Sequence, residues 1–78
     1  MSEKIKVKLH DADTIKSFLS TVRGFASDVD LITERAQIDA KSLLGIFALN
    51  LSDDTYVRMI SDNPEEIDHF NAAMEEFK

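Results

Sequence analysis

The hydrophobic period of this sequence switches repeatedly between two residues and about 3.6, and that switching constrains the fold more than any other feature. Ile5, Val7 and Leu9 alternate with Lys4, Lys6, Lys8 and His10, which predicts a strand with one buried and one cationic face. Ile15, Phe18, Leu19 and Val22 then recur at helical spacing, with Asp11 or Asp13 as the cap that accepts free N–H groups and Gly24 as the stop. Val29 and Leu31 alternate with Asp28, Asp30 and Ile32, and after Glu34-Arg35 the chain resumes as Ala36-Gln37-Ile38, so this pair reads as a hairpin. Tyr56-Val57-Arg58-Met59-Ile60 predicts a fourth strand, with Val57 and Met59 inward, after a turn over Asn50 to Asp54. Asn63-Pro64-Glu65-Glu66 joins a cap, a proline at the first helical position and a glutamate three after the cap. Ile67, Phe70, Met74 and Phe77 follow on one face of that last helix.

Between the hairpin and the fourth strand lies Ile38-Asp39-Ala40-Lys41-Ser42-Leu43-Leu44-Gly45-Ile46-Phe47-Ala48-Leu49. It reads as a strand end, a serine at a helix N-terminus, and a helix of barely two turns that is apolar on nearly every side. One buried face takes only about half of a turn's positions, so Leu43, Leu44, Ile46, Phe47 and Leu49 do not all fit against one neighbour. Ile46 and Leu49 are the core pair of this reading, and Leu43, Leu44 and Phe47 a docking surface.

The order is strand, helix, strand, strand, helix, strand, helix. Three helices on one face of a four-stranded, mainly antiparallel sheet would bury the single-sided strands and the amphipathic helices together, which makes an α+β open-faced sandwich. With 78 residues the expectation is a single domain over residues 1–78. The absence of cysteine excludes disulfides and thiolate chemistry, and two histidines do not make a typical zinc site, so no metal or cofactor is expected. A net charge of −6 opposes nucleic acid and anionic membranes. No apolar block resembles a signal peptide or a membrane span, which suits the cytoplasm. Glu65-Glu66 fits the helix dipole, Glu75-Glu76 and His69 read as surface residues, and no set of acid, base and nucleophile suggests an enzyme.

From Phe25 to about Asn63 the chain resembles the histidine-containing phosphocarrier proteins (HPr) of the bacterial sugar phosphotransferase system, most clearly in Ala40-Lys41-Ser42-Leu43-Leu44-Gly45-Ile46-Phe47-Ala48-Leu49, which is similar to their regulatory-serine segment. The element order matches over the whole chain. The resemblance implies a βαββαβα layout with sheet order 1-4-2-3. It also implies a phosphoacceptor histidine at the junction of the first strand and first helix, within Gly-x-His-Ala-Arg-Pro, where the imidazole is the nucleophile and an arginine and helix amides neutralise the phosphate. Here that junction is Leu9-His10-Asp11-Ala12-Asp13-Thr14. Counting back from Phe25 without a gap puts Asp11 at the acceptor position, Asp13 at the arginine position and Thr14 at the proline position. A one-residue gap brings His10 to the acceptor position instead.

The same resemblance makes Ser42 a regulatory phosphorylation site, at a helix N-terminus where a phosphate meets free N–H groups. Beside that role stands a plain N-cap. Leu43, Leu44 and Phe47 match the family's apolar docking patch, and Lys16 and Arg23 would add a basic rim, diluted by Asp11, Asp13 and Asp28. Asp11 reads as a helix cap, with an acyl phosphate as the functional alternative. The preferred expectation is a monomeric binding or regulatory module that meets protein partners through the central helix and the first helix and has lost the phosphoacceptor. The alternatives are a divergent carrier using His10 and a small interaction domain unrelated to sugar transport.

Overall fold

The computed structural model describes residues 4–34, 36–42 and 54–78. Four strands, β1 (Ile5–Val7), β2 (Asp28–Ile32), β3 (Gln37–Asp39) and β4 (Thr55–Ile60), form one sheet in the order β1-β4-β2-β3, antiparallel throughout. Two α-helices among the described residues, α1 (Ala12–Arg23) and α2 (Pro64–Met74), cover one face, and a 3-10 turn, Glu75–Phe77, continues α2. The sheet order and the α+β class agree with expectation. Of the three expected helices, the central one falls on residues outside those described, and so do Leu43, Leu44, Phe47 and most of the Asn50 to Asp54 turn.

The two hydrophobic periods meet in one core. Val7, Val29, Leu31, Val57 and Met59 point inward from the strands and pack with Ile15, Phe18, Leu19 and Val22 of α1 and Phe70 and Met74 of α2. Phe77 closes the cluster, its ring edge-on to Phe18 at 5.3 Å. Phe25, in the link from α1 to β2, meets Phe70 edge-on at 5.5 Å. Ile67, expected on the core face of α2, is only half-buried, because the face that reaches the sheet is carried by Phe70, Met74 and the terminal turn.

The element boundaries follow expectation in part. β1 ends at Val7 although the alternation continues, because Val7 pairs with Thr55, the first residue of β4, and the next N–H, that of Lys8, donates to the Phe77 carbonyl at 2.6 Å. Leu9 remains buried. Gly24 does end α1, with a right-handed φ of −74° and its N–H on the Thr21 carbonyl, so the stop needs no left-handed residue. The hairpin turn is closed by Thr33, whose N–H donates to the Ala36 carbonyl at 2.8 Å.

Candidate functional site

The junction between β1 and α1 is built from the cap outward. Asp11 is extended, with φ −150° and ψ 170°, and its Oδ1 accepts the Thr14 N–H at 2.7 Å, while its carbonyl accepts the Ile15 N–H at 3.1 Å. Of the two aspartates eligible as cap, Asp11 is therefore the cap and Asp13 lies in the first turn. The Thr14 backbone N–H, and then the Thr14 hydroxyl, hold the Asp11 carboxyl below the usual carboxylate range, with His10 a smaller contributor in the same direction. A helix N-terminus attracts anions because its free N–H groups and dipole point the same way. Here a carboxylate of the chain itself already meets them.

His10 stands outside this arrangement. Its side chain is 71% exposed, and its Nε2 lies 3.5 Å from Asp11 Oδ2, an ion pair only with a protonated ring. Such an exposed pair is screened and weakly held. Asp11 and Asp13 add negative charge beside it, where a transferred phosphoryl group would need cations. Lys16 is exposed one turn further along α1.

The second element is the turn that leads into Ser42. The Ala40 N–H donates to the Val29 carbonyl at 2.8 Å and Ala40 is fully buried, which fixes the chain as it leaves β3. Asp39 then organises the turn: its Oδ1 accepts the Lys41 N–H at 2.9 Å and its carbonyl accepts the Ser42 N–H at 3.1 Å. Two cations clamp the turn onto the end of α1. Lys41 Nζ donates to the Phe25 carbonyl at 2.7 Å, and Arg23 Nη2 donates to the Lys41 carbonyl at 3.3 Å. Arg23, read from sequence as part of a basic rim, thus also holds the backbone next to Ser42. Lys41 was not singled out by sequence reasoning, and no local signal marks it, since its acceptor is 16 residues away.

A third feature is an open hollow of about 790 Å³ between the end of α1 and the start of α2, lined among others by Phe25, Ser27, Asn63, Glu66 and His69. Asn63 caps α2 as expected, accepting the Glu65 and Glu66 N–H groups at 3.0 and 3.5 Å. The reciprocal half of the capping box is relayed. Instead of reaching the Asn63 N–H, Glu66 Oε1 accepts from the Ser61 hydroxyl at 2.8 Å, and Ser61 Oγ accepts the Asn63 N–H at 3.1 Å. Glu66 also accepts the Ser27 hydroxyl at 2.5 Å and the Ser27 N–H at 3.3 Å. The Ser27 hydroxyl first, and Ser61 next, hold its carboxyl below the usual range. Glu66 is thus a structural tie between the α1–β2 link and the start of α2. His69 packs edge-on to Phe25 at 6.4 Å.

Among the described residues no group of three or more His, Cys, Asp or Glu side chains is placed to hold a metal ion, and no helix is long and apolar enough to cross a membrane. Compared with known families, residues 4–78 match the model described as the PTS HPr component phosphorylation site, where PTS denotes the phosphotransferase system. No curated protein matches the chain.

Proposed function

This chain belongs to the PTS HPr family, and we propose that within it the chain acts as a binding or regulatory module, without enzymatic activity of its own, rather than as a phosphocarrier. The observation that carries the proposal is the Asp11 carboxylate, which caps α1 on the Thr14 N–H in the place where the family resemblance puts the phosphoacceptor. An aspartate there occupies helix amides that would neutralise a phosphate, and Asp13 adds a second negative charge. Phosphoryl transfer to an imidazole gains from neighbouring cations, and this junction supplies carboxylates instead.

In this reading residues 1–78 form one domain that works in the cytoplasm. Protein partners dock on Leu43, Leu44 and Phe47, with Lys16 and Arg23 on α1 as a rim. Ser42 is the regulatory phosphorylation site, and its position is supported by the Asp39 turn and by the Arg23 and Lys41 clamp that precede it. A phosphate on Ser42 would add charge beside two cations already in place.

Incubation with phosphoenolpyruvate and enzyme I, followed by intact-mass measurement under conditions that preserve phosphohistidine, tests the central statement. No mass change is expected. A gain of one phosphoryl group that disappears in His10→Ala would replace this reading with that of a divergent carrier.

A further inference from the structure

The face of the sheet turned away from the helices carries a charge pattern that the family assignment does not use. Strand alternation places Lys6, Tyr56, Arg58, Ile60, Asp28, Asp30, Ile32, Gln37 and Asp39 on it, opposite the buried residues of the same strands. The register arranges them in rows across β1-β4-β2-β3. One row reads Lys6, Tyr56, Ile32, Gln37, and the next reads Arg58, Asp30, Asp39. Continuing the β1–β4 register by two residues puts Lys4 at the head of the second row, and its ammonium lies 5.5 Å above the Tyr56 ring. The β1–β4 half is therefore cationic, the β2–β3 half anionic, and Tyr56 and Ile32 form the apolar middle.

The charges are poorly matched within one copy. Asp30 and Asp39 are direct cross-strand partners, a like-charge juxtaposition that costs stability. Asp30 turns to Gln37, accepting its amide at 2.9 Å, although Arg58 is its partner on the other side. The Arg58 Nε is buried with no acceptor among the described residues. A buried donor left unpaired calls for an explanation.

We propose that this face docks on a second copy of itself, about a two-fold axis parallel to the strands and lying over the line between β4 and β2. That rotation carries β1 over the partner's β3 and β4 over the partner's β2, so each row meets its own reverse. Arg58 then faces Asp30 of the partner subunit, Lys4 faces Asp39 of the partner subunit, and Tyr56 faces Ile32 of the partner subunit. A two-fold axis across the strands would instead stack β1 on β1 and oppose like charges, so the pattern selects one isologous arrangement. Strands of three, six, five and three residues, at ~4.8 Å spacing and ~3.4 Å rise, give roughly 280 Å² of flat face per copy. Two copies therefore cover roughly 560 Å² of flat face, somewhat more with side-chain relief, which is below the size of a standard specific interface, so the dimer is weak and transient.

Sedimentation equilibrium of the full chain over a concentration series tests this. The mass should rise from 8.8 kDa toward twice that value with concentration, and association should weaken at least several-fold at about 0.5 M salt. Arg58→Asp alone and Asp30→Arg alone should each stay monomeric, whereas an equimolar mixture of the two should associate at least tenfold more tightly than either, because the rotation pairs each reversed charge with its complement. An unfolded variant would give no such rescue, and circular dichroism of each variant identifies that case, in which Arg58→Gln with Asp30→Asn, both expected to weaken association, replace them. Wild-type protein at 8.8 kDa throughout the series overturns the proposal, as does association that survives both reversals. Wild type that stays monomeric but binds poly-glutamate through Lys4, Lys6 and Arg58 overturns it in favour of an anionic partner.

Discussion

Replacing Phe77 probes how far the last turn holds the β1–α1 junction together. Phe77 is 4% exposed, its ring stands at 86° to Phe18 with centroids 5.3 Å apart, and its carbonyl receives the Lys8 N–H at 2.6 Å. Truncating a buried phenylalanine to alanine costs about 3–5 kcal/mol. Phe77 sits on a single 3-10 turn at the rim of the core and keeps 4% exposure, which favours the lower end, about 3 kcal/mol. About 1 kcal/mol of that belongs to the edge-on ring pair. A 78-residue domain has roughly 4–12 kcal/mol to lose in total, so Phe77→Ala should shift the urea midpoint by a quarter or more of its value without changing the slope. Phe77→Leu keeps apolar bulk and loses the ring pair, so about 1 kcal/mol is expected. Amide exchange supplies the link to the junction: the Lys8 N–H, two residues before His10, should lose protection in Phe77→Ala together with the global change. A cost below about 1 kcal/mol with Lys8 still protected would show that the terminal turn is not what anchors the end of β1.

Two further predictions concern the carboxylates and their partners. Asp11 and Glu66 both have folded-state pKa values below the ordinary carboxylate range, so each contributes stability above its unfolded-state pKa and loses it as pH falls through the folded-state value. Asp11→Asn and Glu66→Gln should each flatten the acid limb of stability against pH, measured by urea midpoints from neutral to about pH 2, and an unchanged limb in both would refute the assignment. Ser61→Ala breaks the relay from Asn63 to Glu66, should cost about 1 kcal/mol, and should raise the Glu66 titration midpoint as read by carboxyl carbon shifts. A Glu66 titration that does not move would mean that Ser27 alone sets it.

Much of the fold was legible because it rests on period and on short-range chemistry. The inward residues Val57 and Met59, the α1 face from Ile15 to Val22, and the Asn63 cap with its proline are all properties of neighbours in sequence, and each is found where the pattern puts it. The cap of α1 was legible only as a choice between Asp11 and Asp13, since both are four-atom carboxylates one turn or less from the helix start. The end of β1 was not legible at all. Its alternation runs on to Leu9, but the ladder ends where Val7 meets Thr55, the first residue of β4, and the next N–H, that of Lys8, goes to the carbonyl of Phe77, far away in sequence. Glu66 was legible only in part for the same reason: a glutamate three after a cap marked the helix start, but Ser27 and Ser61, which take its carboxylate, approach from the α1–β2 link and the end of β4.

The family likeness of the Ser42 segment and the absence of an arginine after His10 are facts of composition at given positions, and the sequence by itself determined them. So was the bipolar character of the strands, since charged residues at every second position need only a sheet to share a face. What meets the Glu66 carboxylate was decided by tertiary structure, where Ser27 reaches it from the α1–β2 link and Ser61 from the end of β4. The rows of the open face were decided there as well, because pairing β4 between β1 and β2 is what sets Arg58 beside Asp30. The physical reason is common to both. Hydrogen bonds and charge contacts fall off within a few ångströms, and only the folded chain sets distances between residues far apart in sequence.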